Sequence, residues 1–228
     1  MSMDYDVVAR RINEERIRLG LSPKEMARFM YSNQRNYNNV EKGLRRFSYT
    51  ELKYLCDSPV DVQYVITGNK RGKTFNEHFT HYKYEQLVNI MNFISSVGMV
   101  VGTGDVLEYM NKIYFSAEVL SCKERKKTLE VNMFYIIRRI KNYSQKEMAA
   151  QLGVDVKKLR DLENNRSLPD SELVWRMYQI FGLSPAIILK DKECLINEIC
   201  FVLEGLAPEI QAKILDVIEV VYSISPCK

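Results

Sequence analysis

The chain has 228 residues, 46% of them hydrophobic, which is long enough for one large globular unit or two small ones with a sizeable core. No run approaches the roughly eighteen apolar residues of a membrane span, the start MSMDYDVVARR lacks a signal-peptide core, and the five cysteines (Cys56, Cys122, Cys194, Cys200 and Cys227) show no CxxC spacing, so a cytoplasmic chain with reduced thiols is expected. The formal charge of +4 is unevenly spread: residues 1–71 carry 13 Lys/Arg against 9 Asp/Glu, residues 129–191 carry 10 against 8, and residues 192–228 carry 3 against 6.

In chain order, Val8, Ile12 and Leu19 fall at interrupted helical spacing and predict a helix over Tyr5–Leu19 that Gly20 ends. Ser22-Pro23-Lys24-Glu25 reads as a helix start, with a Ser cap, Pro at the first helical position and Glu25 placed to close a capping box. Asn33 caps a third helix, Gln34–Glu41, which Lys42-Gly43 terminates. Ser48-Tyr49-Thr50-Glu51 opens a fourth helix through Cys56, and Asp61 starts a fifth that stops at Gly68.

Beyond residue 71, Leu87, Ile90, Met91, Ile94 and Val97 form a helical stripe expected to end at Gly98. Val106, Met110, Ile113, Tyr114 and Ala117 form a second stripe after the cap-like Thr103-Gly104-Asp105. The glycines of GMVVGTGD lack the GKS/GKT of a phosphate loop and read as a turn. His78 and His81 stand beside Glu77 without a third clear ligand, so a solvated loop is expected and no metal site. No nucleophile–base arrangement is visible, and neither an enzyme nor a cofactor is expected.

Ser144-Gln145-Lys146-Glu147 repeats the start at Ser22, 122 residues later, and each serine is followed after one residue by Lys-Glu-Met-Ala. With that offset Gly153 falls at a turn, Asp155 caps a helix to Glu163, a fourth helix follows Pro169-Asp170-Ser171-Glu172, and Ser184-Pro185 starts a fifth. The tail holds two further stripes, Leu195, Ile199, Val202 and Leu203, then Ile210, Ile214, Val217, Ile218 and Val221, separated by Gly205 and read as a helical hairpin.

RIRLGLSPKEMARFM…VEKG and its second copy resemble the helix-turn-helix domain of phage repressors and Cro proteins, the XRE-type family. VDVQYVITG and LSPAIILK resemble the family's ending, and the likeness covers roughly residues 6–70 and 129–190. It implies that Arg16 pairs with Glu41 and Arg138 with Glu163, each fixing a third helix on its scaffold. It also implies that the third helix enters the major groove. The reading positions are then Gln34, Arg35 and Asn39, whose amides and guanidinium suit adenine and guanine edges. Asn36, Asn38, Lys42, Arg45 and Arg46 would hold phosphates. In the second copy Val156, Lys157 and Asp161 fall at the reading positions, Gln145 where relatives contact phosphate, and Lys157, Lys158 and Arg160 keep the helix basic. Pro23 stands where the first copy would need that glutamine.

The expectation is an all-α chain: a first helix-turn-helix domain over 1–71, a helical spacer over 72–128, a second such domain over 129–191, and a hairpin over 192–228. The function expected is a sequence-specific transcriptional regulator that binds double-stranded DNA, with a homodimer of four domains expected and two domains of one chain on adjacent half-sites as the other arrangement. The acidic hairpin offers a dimer or partner surface facing away from DNA, and no membrane partner is expected. The alternative is an adaptor or antitoxin that keeps the scaffold without DNA specificity, and the second copy is open to either role.

Overall fold

The structure, a computed structural model, describes residues 5–70, 74–102, 104, 107–111 and 132–224. Every regular element among them is a helix. Cys122 and Cys227, Val106, Ile113, Tyr114 and Ala117 of the second spacer stripe, and Thr103 and Asp105 of its cap lie outside the described residues.

The first run is α1 (Asp6–Arg18), α2 (Pro23–Phe29), α3 (Gln34–Glu41), α4 (Tyr49–Cys56) and α5 (Val62–Thr67). Local chemistry sets the boundaries. Ser22 and Ser48 each form a complete capping box, with Glu25 and Glu51. Asn33 and Asp61 accept from the backbone of Asn36 and Tyr64. α1 buries Val8, Ala9 and Ile12, and also Glu15. That carboxylate is satisfied by two Arg18 hydrogen bonds of 2.7 Å and by the Asp61 N–H at 2.9 Å, so it ties α1 to the start of α5.

After α6 (Asn76–Phe79), α7 (Tyr84–Val101) runs past Gly98, where the sequence pattern placed its end. Gly98 is a packing glycine: a Cβ there would lie 2.9 Å from the Met110 sulfur. The second run is α8 (Met133–Ile140), α9 (Gln145–Leu152), α10 (Val156–Glu163), α11 (Ser171–Phe181) and α12 (Pro185–Leu189), followed by α13 (Lys192–Glu204) and α14 (Pro208–Ile224). α13 is apolar on nearly every side, with Leu195, Ile196, Ile199, Cys200, Val202 and Leu203 all buried against α7, α5, α6 and α12. The expected outward hairpin is therefore half internal. Only α14 is peripheral, with Val217, Val220 and Val221 about half exposed.

The backbone repeats with the same offset as the caps. Left-handed residues occur at Gly20 and Asn142, Tyr31 and Gly153, Gly43 and Asn165, and Gly68 and Lys190, four pairs each 122 residues apart. In every pair one member is glycine and the other is not. The chain thus keeps the turns while changing the residues that make them easy.

The two runs share one continuous hydrophobic core and meet along α4 and α5 on one side and α11 and α12 on the other. Phe47 and Ser171 exchange hydrogen bonds at the centre of that seam, Phe47 N–H to Ser171 Oγ and Ser171 N–H to Phe47 O, both 3.0 Å. The Tyr5 hydroxyl also bonds Ser171 Oγ, and its ring meets Trp175 edge to face at 6.2 Å. Arg46 pairs with Glu172 at 2.8 Å and Lys53 with Asp191 at 3.0 Å.

Candidate nucleic-acid interface

α3 has two faces. Tyr37 and Val40 point into the core, while Gln34 and Arg35 are exposed and Asn36, Asn38 and Asn39 are half-exposed. α2 and α3 pack closely against each other, which sets the α3 outer face on a rigid base. The acid of α3, Glu41, is drawn inward: Arg16 Nε donates to it at 2.9 Å and the Tyr37 hydroxyl at 3.2 Å. Burial pushes the Tyr37 hydroxyl above its ordinary range, so it stays a donor. Arg16 also donates to Leu21 O at 3.0 Å and to Asn13 Oδ1 at 2.6 Å. Arg35 and Lys42 have no ion-pair partner among the described residues. The outer face of α3 is therefore free of acid, amide-rich and mildly positive.

Arg45 and Arg46 are held by acids of the fold. Both were expected to face phosphate, yet Arg45 grips Glu51 with one nitrogen at 2.8 and 2.9 Å. Burial works against ionisation of Glu51, but Arg45 and Ser48 outweigh it and hold its carboxyl below the ordinary value. Arg46 bonds Glu172 and Gly43 O and lies over the Tyr5 ring at 4.1 Å. A guanidinium so engaged has little left to offer a phosphate. Asn36 Nδ2 likewise turns back to Ser32 Oγ at 3.1 Å.

α9 and α10 repeat the arrangement. Leu159 and Leu162 are buried, Lys157 and Arg160 exposed, Val156 and Asp161 half-exposed. Arg138 donates to both oxygens of Glu163 and to Tyr143 O at 3.2 Å, as Arg16 does to Glu41 and Leu21 O. Gln145 Nε2 donates to Glu163 at 2.8 Å, a place the Tyr37 hydroxyl fills in the first run. Lys158 is held by Ser167 Oγ at 2.6 Å, which leaves Lys157 and Arg160 as the outward cations of α10.

Sequence reasoning missed a buried cluster at the seam. Cys56 Sγ lies 3.4 Å from Cys194 Sγ, and with Asp191 these are the one group of possible metal ligands within 4.8 Å of one another among the described residues. Asp191 is already committed, to Lys53 and to the Cys194 N–H at 2.9 Å. The Cys56 contact and burial push the Cys194 thiol well above its ordinary range. His78 and His81 line a surface recess with Asp216 and Glu219 of α14, and the His81 ring lies 4.0 Å from that of Tyr82.

No helix among the described residues is long and apolar enough to cross a membrane. No curated protein and no solved structure matches the chain. Residues 135–188, from the third residue of α8 into α12, match the helix-turn-helix family, and that segment is similar to the DNA-binding domain of XRE-type regulators.

Proposed function

We propose that the chain is a sequence-specific regulator of transcription that binds double-stranded DNA through two helix-turn-helix units, with α3 as the main reader in the major groove. The observation that carries this reading is the pairing of an acid-free, exposed α3 face with an Arg16–Glu41 anchor that recurs as Arg138–Glu163 inside the family-matching segment. Gln34 and Asn39 suit adenine edges and Arg35 a guanine edge. Lys42, Lys157 and Arg160 supply contacts to phosphate, and Asn38 adds a neutral one.

Selection of bound duplexes from a random pool tests it. A motif should emerge whose affinity falls steeply with salt. The Gln34→Ala, Arg35→Ala double variant should keep its helical circular dichroism and lose discrimination by about 1–3 kcal/mol for each bidentate contact removed. A pool that yields no motif would favour a protein-binding adaptor instead, a reading supported by the exposed valines of α14.

A further inference from the structure

The seam between the two runs has the pattern of a two-fold dimer contact. At an offset of 122, α11 is the counterpart of α4 and α12 the counterpart of α5. The helices that touch across the seam are α5 with α11, α4 with α12, and α5 with α12. The first two contacts are one contact read from either side, and the third pairs a helix with its own counterpart. That reciprocity defines an isologous interface. Here it is made inside one chain.

The third helices flank this seam by the same end. Just past α3, Arg46 and Phe47 bond Glu172 and Ser171 at the start of α11. Just past α10, Asn165, Leu168 and Pro169 line one cavity together with Tyr49 at the start of α4. The loop after each third helix thus runs beside the first turn of the other run's fourth helix, by hydrogen bonds on one side and across a shared cavity on the other, and both third helices keep exposed cations on their outer faces. α13 packs on α5, α12 and α7 together, so it holds the two runs in one fixed relation.

We propose that one chain, acting alone, occupies one bipartite duplex site with two unlike half-sites at a fixed spacing. This rests on the DNA-binding reading above. The α3 half-site is read through base edges by Gln34, Arg35 and Asn39. The α10 half-site is gripped through phosphate by Lys157 and Arg160, and Val156 offers a thymine methyl its only apolar contact. The seam takes the place of a homodimer interface. The site is consequently asymmetric, with one stringent half and one tolerant half.

The test uses the full chain on the duplex that wins selection. Native mass spectrometry at saturating protein should give one chain per duplex. Inserting five base pairs between the halves turns one half-site to the opposite side of the helix and should weaken binding at least tenfold. The Lys157→Glu, Arg160→Glu variant should lower affinity at least tenfold and flatten the salt dependence by about two phosphate contacts, with base preference in the α3 half-site kept. Two chains on a perfect palindrome, or indifference to the insertion and to the α10 variant, would overturn the single-chain site while leaving DNA reading intact. Enrichment of no duplex at all would sink both.

Discussion

Glu198 lies on α13 at 1% exposure, and its hydrogen bonds join distant parts of the chain. The Tyr109 hydroxyl donates to it at 2.8 Å, Gln63 of α5 donates to Tyr109 at 3.2 Å, and Ser184, the cap of α12, donates to its other oxygen. Burial lifts the carboxyl from 4.5 to about 7, against the lowering effect of those hydroxyls. A carboxyl raised on folding costs stability as pH rises. Below the ordinary value both states are protonated and nothing is lost; between the two values the unfolded chain ionises first; above the folded value the penalty levels off at roughly 3 kcal/mol. Glu198→Gln should therefore melt higher than the parent at pH 8, with the gap closing near pH 4. A variant destabilised more at pH 8 than at pH 4 would show that Glu198 serves as an ionised acceptor instead. Nothing in the sequence marks this residue, because its partners sit 14, 89 and 135 positions away or are reached through them. The ion pairs of Arg45 and Arg46 were not legible either: a basic pair after α3 looks solvated until Glu51, six residues on, and Glu172, 126 residues on, are seen beside it.

At the scale of helices, the caps were legible and the turns only half so. Ser22, Asn33, Ser48, Asp61, Ser144, Asp155 and Asp170 all cap as their side chains require, since capping depends on neighbours within three residues. The left-handed turns were plain where glycine occupies them and hidden at Tyr31, Asn142, Asn165 and Lys190. Tyr31 and Pro23 are first-run departures at positions where the second run has Gly153 and Gln145, and the family match falls on the second run. Position 68/190 offers a paired test. Lys190 is exposed with φ of 50°, so Lys190→Gly should stabilise by about 0.5–1 kcal/mol, the left-handed strain relieved less the entropy glycine adds to the unfolded chain. Gly68→Ala should destabilise by about 1–2 kcal/mol, because φ is 86° and the new Cβ would lie 2.6 Å from Arg11, which is held to Ile66 O. Denaturant titrations of both variants would check the opposite signs; equal signs would mean that the turn geometry is not what these positions are selected for. The end of α7 was misplaced because a glycine that admits Met110 and one that stops a helix look alike in sequence.

For the whole molecule, the repeat at 122 residues pointed to two units, but their shared core was out of reach of any local pattern. The hydrogen bond between Tyr5 and Ser171 spans 166 residues, and those between Phe47 and Ser171 span 124. The buried cluster runs without interruption from Tyr5 through α13 to Ile218, so unfolding one run exposes the other's core along α4, α5, α11 and α12. Calorimetry should accordingly give one transition, with equal calorimetric and van't Hoff enthalpies. Two resolved transitions would mean that each run is stable by itself. The seam has a further consequence for how such a molecule responds to its own abundance. Partners on separate chains fall apart as they become scarce, so their activity drops with the square of their number when rare. Two halves on one backbone meet at a fixed effective concentration whatever the dilution. On the proposed single-chain site, occupancy below saturation then rises in simple proportion to copy number, so that rare molecules are not penalised for their rarity.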